Sequence, residues 1–141
     1  MITTPLAHAV LEAAESRRSI RRYSDAPVTE AELAQLVETA GRAPSAYNLQ
    51  PWRWVAVRDQ ELKGRLQSAA YGQPQVGAAP VLVVLYTDTL DALDTVEETF
   101  APTLPADKAA GTKAHLRSTI GAQSEADREA WGAGQSYIAL G

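Results

Sequence analysis

The sequence predicts an α+β fold, on three observations. A capping box at Thr29–Glu32 opens a run of helix-spaced apolar residues. Trp52 to Arg58 alternates in the manner of a half-buried strand. Pro80-Val81-Leu82-Val83-Val84-Leu85-Tyr86 has no polar face, which predicts a second strand covered on both sides. At 141 residues a single domain spanning 1–141 is expected, and neither an internal repeat nor an interdomain linker divides it.

From the N-terminus, Thr4 is placed to cap a helix with Pro5 at its first position and Leu6, Ala9, Val10 and Ala13 at helical spacing. That helix is expected to end near Ser16 and to deliver an arginine run into a loop. Asp25-Ala26-Pro27 reads as a turn. Behind the capping box, Leu33, Leu36, Val37 and Ala40 form one apolar face, and Pro44 ends or bends that helix because proline disfavours helical backbone in the residue before it. Asp59 is placed to cap a short helix through Leu62 and Leu66. Asp88, Asp91, Asp94, Glu97 and Glu98 recur at helical intervals with no base among them. Such spacing reads as the solvated side of a helix carrying Leu90, Leu93 and Val96, in preference to a metal site. Residues 101–123 have weak periodicity and read as a loop or a mobile lid. Ser124 to Asp127 opens a last helix with Trp131, Gly134, Ile138 and Gly141 along one stripe, still running where the sequence stops.

Composition narrows the function. The formal charge is −4, which gives no general pull toward nucleic acid or an anionic membrane. Nine of the thirteen basic residues nevertheless lie before residue 66, so positive charge is local. The absence of cysteine excludes disulfides, thiolate metal sites and a cysteine nucleophile. No long apolar stretch opens the chain, so neither a signal peptide nor a membrane anchor is expected, and a cytoplasmic location is compatible.

Two stretches carry the chemistry. Arg17-Arg18-Ser19-Ile20-Arg21-Arg22 places four guanidinium groups and a hydroxyl within six residues. Guanidinium is a planar fork of donors that stays charged at any working pH, and a terminal phosphate offers the matching acceptors. In extended backbone Arg17, Ser19 and Arg21 point one way and Arg18 and Arg22 the other, so one set can grip a ligand while the other makes helix-end or ion contacts. The second stretch, Pro44-Ser45-Ala46-Tyr47-Asn48-Leu49-Gln50-Pro51-Trp52, is a proline-bounded turn ahead of a strand. Asn48 carries a donor and an acceptor in one amide, and Ser45 and Ala46 are small enough to let backbone approach a planar ring. Gln50 reads as a tie within the turn, and Trp52 and Trp54 as core residues.

Arg-Arg-Ser-Ile-Arg-Arg-Tyr, then Pro-Val-Thr at a helix entry, then Ala-Pro-Ser-Ala-Tyr-Asn-Leu-Gln-Pro-Trp resembles the opening of an FMN-dependent nitroreductase. Strand 79–86 and the segment Trp131 to Gly141 are similar to that family's central strand and long central helix. The resemblance implies a three-layer α-β-α sandwich with a mixed, mainly antiparallel sheet. Family members continue well past this point, so the sequence is expected to be C-terminally incomplete. The resemblance further implies that Arg17, Arg18, Ser19 and Arg21 hold the phosphate and ribityl side of FMN. Pro44, Ser45, Ala46 and Asn48 would contact the flavin held by the other subunit of an intertwined homodimer. FMN is expected over FAD, since no Gly-rich dinucleotide loop is present. NADH or NADPH would supply a hydride, and nitroaromatics, quinones or free flavins would accept it. The flavin does that chemistry, so no catalytic side chain is required, and His8 and His115 are read as a helix-surface and a loop residue. Reductive dehalogenation or azoline oxidation on the same scaffold is the first alternative. A non-catalytic flavin-binding or dimerisation module is the second.

Overall fold

The computed structural model describes residues 4–101 and 103–140. Thr4 is extended (φ −89°, ψ 145°) and its hydroxyl accepts the Ala7 N–H at 3.3 Å, so α1 (Pro5–Ser16) begins and ends where the sequence places it. The chain then runs without regular secondary structure to Val28, bending at Asp25 where the sequence places a turn. The capping box forms in full: the Thr29 hydroxyl accepts Glu32 N–H while Glu32 Oε2 accepts both Thr29 donors at 2.8 Å. It starts α2 (Glu30–Gly41). A 3-10 turn at Ala46–Asn48 leads into β1 (Trp52–Val57), and Asp59 caps α3 (Gln60–Ala69) by accepting Leu62 N–H at 2.7 Å. After the short α4 (Pro74–Ala78) comes β2 (Leu82–Thr87).

β1 and β2 pair antiparallel, Trp52 opposite Thr87 through Val57 opposite Leu82. Alternation therefore puts Trp52, Trp54, Ala56, Val83, Leu85 and Thr87 on one face, where α7 (Glu125–Leu140) lies. The other face is only partly covered, with Val55 45% and Tyr86 49% exposed. The expectation of a β2 covered on both sides is thus corrected: within one chain this strand is half-buried along most of its length.

The core lies beside the sheet. Leu49, Ala92, Leu93, Val96, Leu116 and Ile120 pack together, with Phe100 and Trp131 against them. The acidic run is helical, as α5 (Thr89–Thr95) and a 3-10 turn at Val96–Thr99. Its inward side is Thr89, Ala92, Leu93 and Val96, while Leu90 is half exposed. The outward carboxylates are paired from elsewhere in the chain: Asp91 with Arg53, Asp94 with Arg117, and Glu97 with Lys113 at 2.6 Å. Exposed pairs of this kind contribute about 0.2–1 kcal/mol each.

Two expectations fail at the C-terminal side. Residues 106–116 form α6 (Ala106–Leu116), which continues as a π-helical stretch at Arg117–Gly121, instead of a loop or lid. Only Leu116 and Ile120, four residues apart, are buried, so the sequence shows too few apolar repeats to betray a helix. His115 accordingly sits on a helix, exposed. In α7 the buried face is Gly132, Ser136 and Ala139, not the stripe through Gly134 and Ile138, while Trp131 is partly buried. Gly141 lies outside the described residues. The reason is close approach: a Cβ on Gly132 would meet Thr89 Oγ1 and Thr87 Cγ2. Ser136 and Thr87 join hydroxyls at 2.9 Å across the same contact. Small residues, not large ones, mark the face that touches the sheet.

Candidate functional site

Residues 17–22 have no regular secondary structure and are exposed throughout. Arg18 turns back onto the end of α1, its Nη1 donating to Glu15 O (2.7 Å) and Arg17 O (2.8 Å), which is the helix-end role one set of arginines was expected to take. Arg21 makes only a long contact, 3.4 Å to Ser19 O. Among the described residues the ion pairs use Arg42, Arg53, Arg58, Lys113 and Arg117 as cations, and none uses Arg17, Arg18, Arg21 or Arg22. Arg65 and Arg128 are likewise outside these pairs, but only the four at 17–22 are clustered in the sequence.

The second stretch is built the opposite way. Tyr47 (φ 56°), Asn48 (φ 54°) and Gln50 (φ 46°) are all left-handed, a conformation costing about 1–3 kcal/mol per non-glycine residue and kept only where surroundings enforce it. The enforcing contacts can be named. Asn48 N–H donates to Ser45 O and Leu49 N–H to Ala46 O, both at 3.0 Å. The Ser45 hydroxyl accepts Gln50 N–H at 3.0 Å. Gln50 Nε2 donates to Asn48 Oδ1 at 3.0 Å, which is the internal tie the sequence indicates. Asn48 Nδ2 reaches the Thr99 carbonyl at 2.6 Å, and Gln135 Oε1 on α7 accepts Ala46 N–H at 2.8 Å. Leu49, 1% exposed, is driven into the core, and Pro51 and Trp52 are buried behind it.

Both amide ends of Asn48 are therefore occupied inside the protein. Gln135 and the Thr99 carbonyl could not be found from sequence: they lie 89 and 51 residues away from their partners, and no local pattern marks either. The structure brings Pro44, Ser45, Ala46 and Asn48 together, and Arg17, Arg18, Ser19 and Arg21 together. No hydrogen bond among the described residues joins the two groups. Beside the end of the arginine run lies an apolar trough of about 610 Å³ whose lining includes Ile20, Arg22, Tyr23, Leu33, Leu36 and Val83, and no residue of the turn lines it. A second hollow of about 560 Å³ continues from Leu36 and Val83 past Trp54 to Leu140. On α1, Leu6 and Val10 are 77% and 62% exposed and nothing on that helix is buried. Among the described residues no cluster of His, Asp or Glu could hold a metal ion, and no helix is long and apolar enough to cross a membrane.

The profile of the nitroreductase family matches residues 14–141. A protein of Thermus thermophilus named NADH dehydrogenase is 47% identical over 129 residues, 92% of this chain and 63% of its own length. A nitroreductase-like protein from Streptococcus mutans superposes with a TM-score of 0.76 at 27% identity, covering 95% of this chain and 69% of that one. A protein from Exiguobacterium sibiricum solved in complex with FMN superposes at 0.78 with 23% identity, over 92% and 65%. The chain thus spans less than two thirds of the Thermus relative.

Proposed function

This chain belongs to the nitroreductase family, and on that premise we propose that it is an FMN-dependent NAD(P)H oxidoreductase. The observation that carries the reading is the cluster of four guanidinium groups at Arg17, Arg18, Arg21 and Arg22, none paired with a carboxylate among the described residues, beside the exposed Ser19. A dianionic phosphate monoester fits that donor set, and each charge-assisted hydrogen bond to it contributes about 1.5–3 kcal/mol. Arg17 and Arg21 hold the phosphate, Ser19 adds a hydroxyl donor, and Arg18 fixes the end of α1 from which the run projects. The FMN-bound Exiguobacterium neighbour supports the choice of cofactor.

FMN held there would supply hydride chemistry between NADH or NADPH and an oxidised acceptor, a nitroaromatic or quinone in this reading. The protein's own part is to bind, orient and exclude water. The turn at Pro44–Asn48 forms the second wall of the site and approaches the flavin held by the partner subunit of a homodimer. That assembly would also cover the apolar face of α1 and the trough beside β2. Residues 1–141 act as one flavin-binding domain, and use of a nicotinamide donor fits a cytoplasmic location.

The test is a visible spectrum of the purified protein, heat release and chromatographic identification of the ligand, then anaerobic addition of NADH and NADPH. Recovery of FMN that bleaches with either nucleotide is expected. FMN that binds and stays oxidised is the result of a non-catalytic flavin-binding module, and FAD or no affinity for flavin overturns the reading.

A further inference from the structure

We propose that Gln135 is a positioning residue: by accepting the Ala46 N–H it fixes the left-handed turn in the shape that meets a ligand. This rests on the flavin reading above and adds which distant side chain holds the turn. The donors and acceptors of the turn are mostly spent on holding it. Ser45 O, Ala46 O, the Ser45 hydroxyl and the N–H groups of Asn48, Leu49 and Gln50 are used within the turn. Both ends of the Asn48 amide are used, by Thr99 O and Gln50 Nε2. Ala46 N–H goes to Gln135 Oε1 at 2.8 Å in a part-buried contact. The N–H groups of Ser45 and Tyr47 make no hydrogen bond among the described residues, and Tyr47 is 54% exposed.

Without Gln135, the Ala46 N–H would need another acceptor, and the left-handed backbone at Tyr47 and Asn48 would lose one of its two anchors outside the turn. A relaxed turn would lose the shape it offers to a ligand. Asn48 Nδ2 makes the second anchor, to Thr99 O, and its exposed amide keeps one more N–H and a lone pair for a ligand. Gln135 is well placed for this role because α7 is already seated on the sheet through Gly132 and Ser136, so its side chain extends from a fixed base.

The experiment compares wild type, Gln135→Met, which keeps length but removes the acceptor, and Gln135→Glu, which restores one. Two quantities are read: FMN affinity by fluorescence titration, and hydrogen exchange at the Ala46 amide in the flavin-free protein. Gln135→Met is expected to speed Ala46 exchange at least tenfold and to weaken FMN binding about three- to tenfold, with β1 and β2 amides unchanged. Gln135→Glu should return both toward wild type. Unchanged Ala46 exchange in Gln135→Met overturns the pin. Weakened FMN binding together with faster exchange across the sheet, unrescued by Glu, means that Gln135 serves only the stability of α7. If wild type itself binds no FMN, the functional reading fails, while the exchange measurement still judges the pin.

Discussion

Ser45, Ala46, Asn48 and Gln50 are tied to one another or to α7 and the segment after α5, whereas in residues 17–22 only Arg18 turns its guanidinium firmly onto backbone and all four arginines stay exposed. The turn is a finished part, with its conformational cost met by the protein. The arginine run is an unfinished one, whose order must come from what it binds. Fixing an arginine side chain costs about 1.5–2 kcal/mol in rotamer freedom, against about 1.5–3 kcal/mol gained per charge-assisted hydrogen bond. One arginine therefore gains little, and a cluster is needed for a net grip. A preorganised wall facing a pliable, highly charged grip suits a ligand with one flat end and one charged end.

The sharpest way to break this contrast is at Leu49. Leu49→Ala should lose about 2–5 kcal/mol in a urea melt, because the side chain is 1% exposed within the core. Leu6→Ala, 77% exposed on α1, should stay within about 0.5 kcal/mol in a dilute, monomeric sample. Similar losses at both sites under those conditions would mean that α1 is packed, and the comparison would collapse.

Next in size, Arg17→Ala or Arg21→Ala should weaken FMN retention by about 1.5–3 kcal/mol without lowering the melting temperature of the flavin-free protein. Arg42→Ala removes a guanidinium already paired with Glu38 at 2.7 Å and should do much less. Equal effects at all three sites would show that general positive charge, and no specific grip, holds the phosphate.

The smallest effect sharpens the boundary between the two regions, at the capping box of α2. The Thr29 backbone N–H first, and its hydroxyl second, hold the Glu32 carboxyl below the ordinary glutamate range. A folded value below the unfolded one means that the contribution is present above the unfolded pKa and is lost as pH falls through the folded one. The stability difference between wild type and Glu32→Gln should thus be largest near neutral pH and close in acid. A difference that stays flat from neutral to acidic pH would sink this assignment.

What could be read from sequence was what chemistry writes locally. The capping box, the Asp59 cap and the Gln50 tie span five residues or fewer, and each formed as its residue types dictate. The family pattern is likewise local and marks the α+β fold. What stayed hidden depends on distant partners. Gln135 looks like any helix polar residue until Ala46 is beside it. The acidic run has no base within it, yet Arg53, Arg117 and Lys113 arrive from β1, the π-helical stretch and α6 respectively. The face of α7 was misread because large residues advertise burial, whereas Gly132 and Ser136 are buried by closeness.

The π-helical stretch at Arg117–Gly121 acts as a spacer that takes up one residue. An α-helix turns about 100° with each residue, whereas the wider π turn holds an extra residue with little net rotation of the helix before it. Removing one residue there, and letting the stretch tighten to a regular α-helix, would leave Lys113 near Glu97 and Leu116 on the core. Removing Ala114 instead would turn Lys113 by about 100° away from Glu97. Loss of a residue should therefore be tolerated far better at Arg117–Gly121 than within α6.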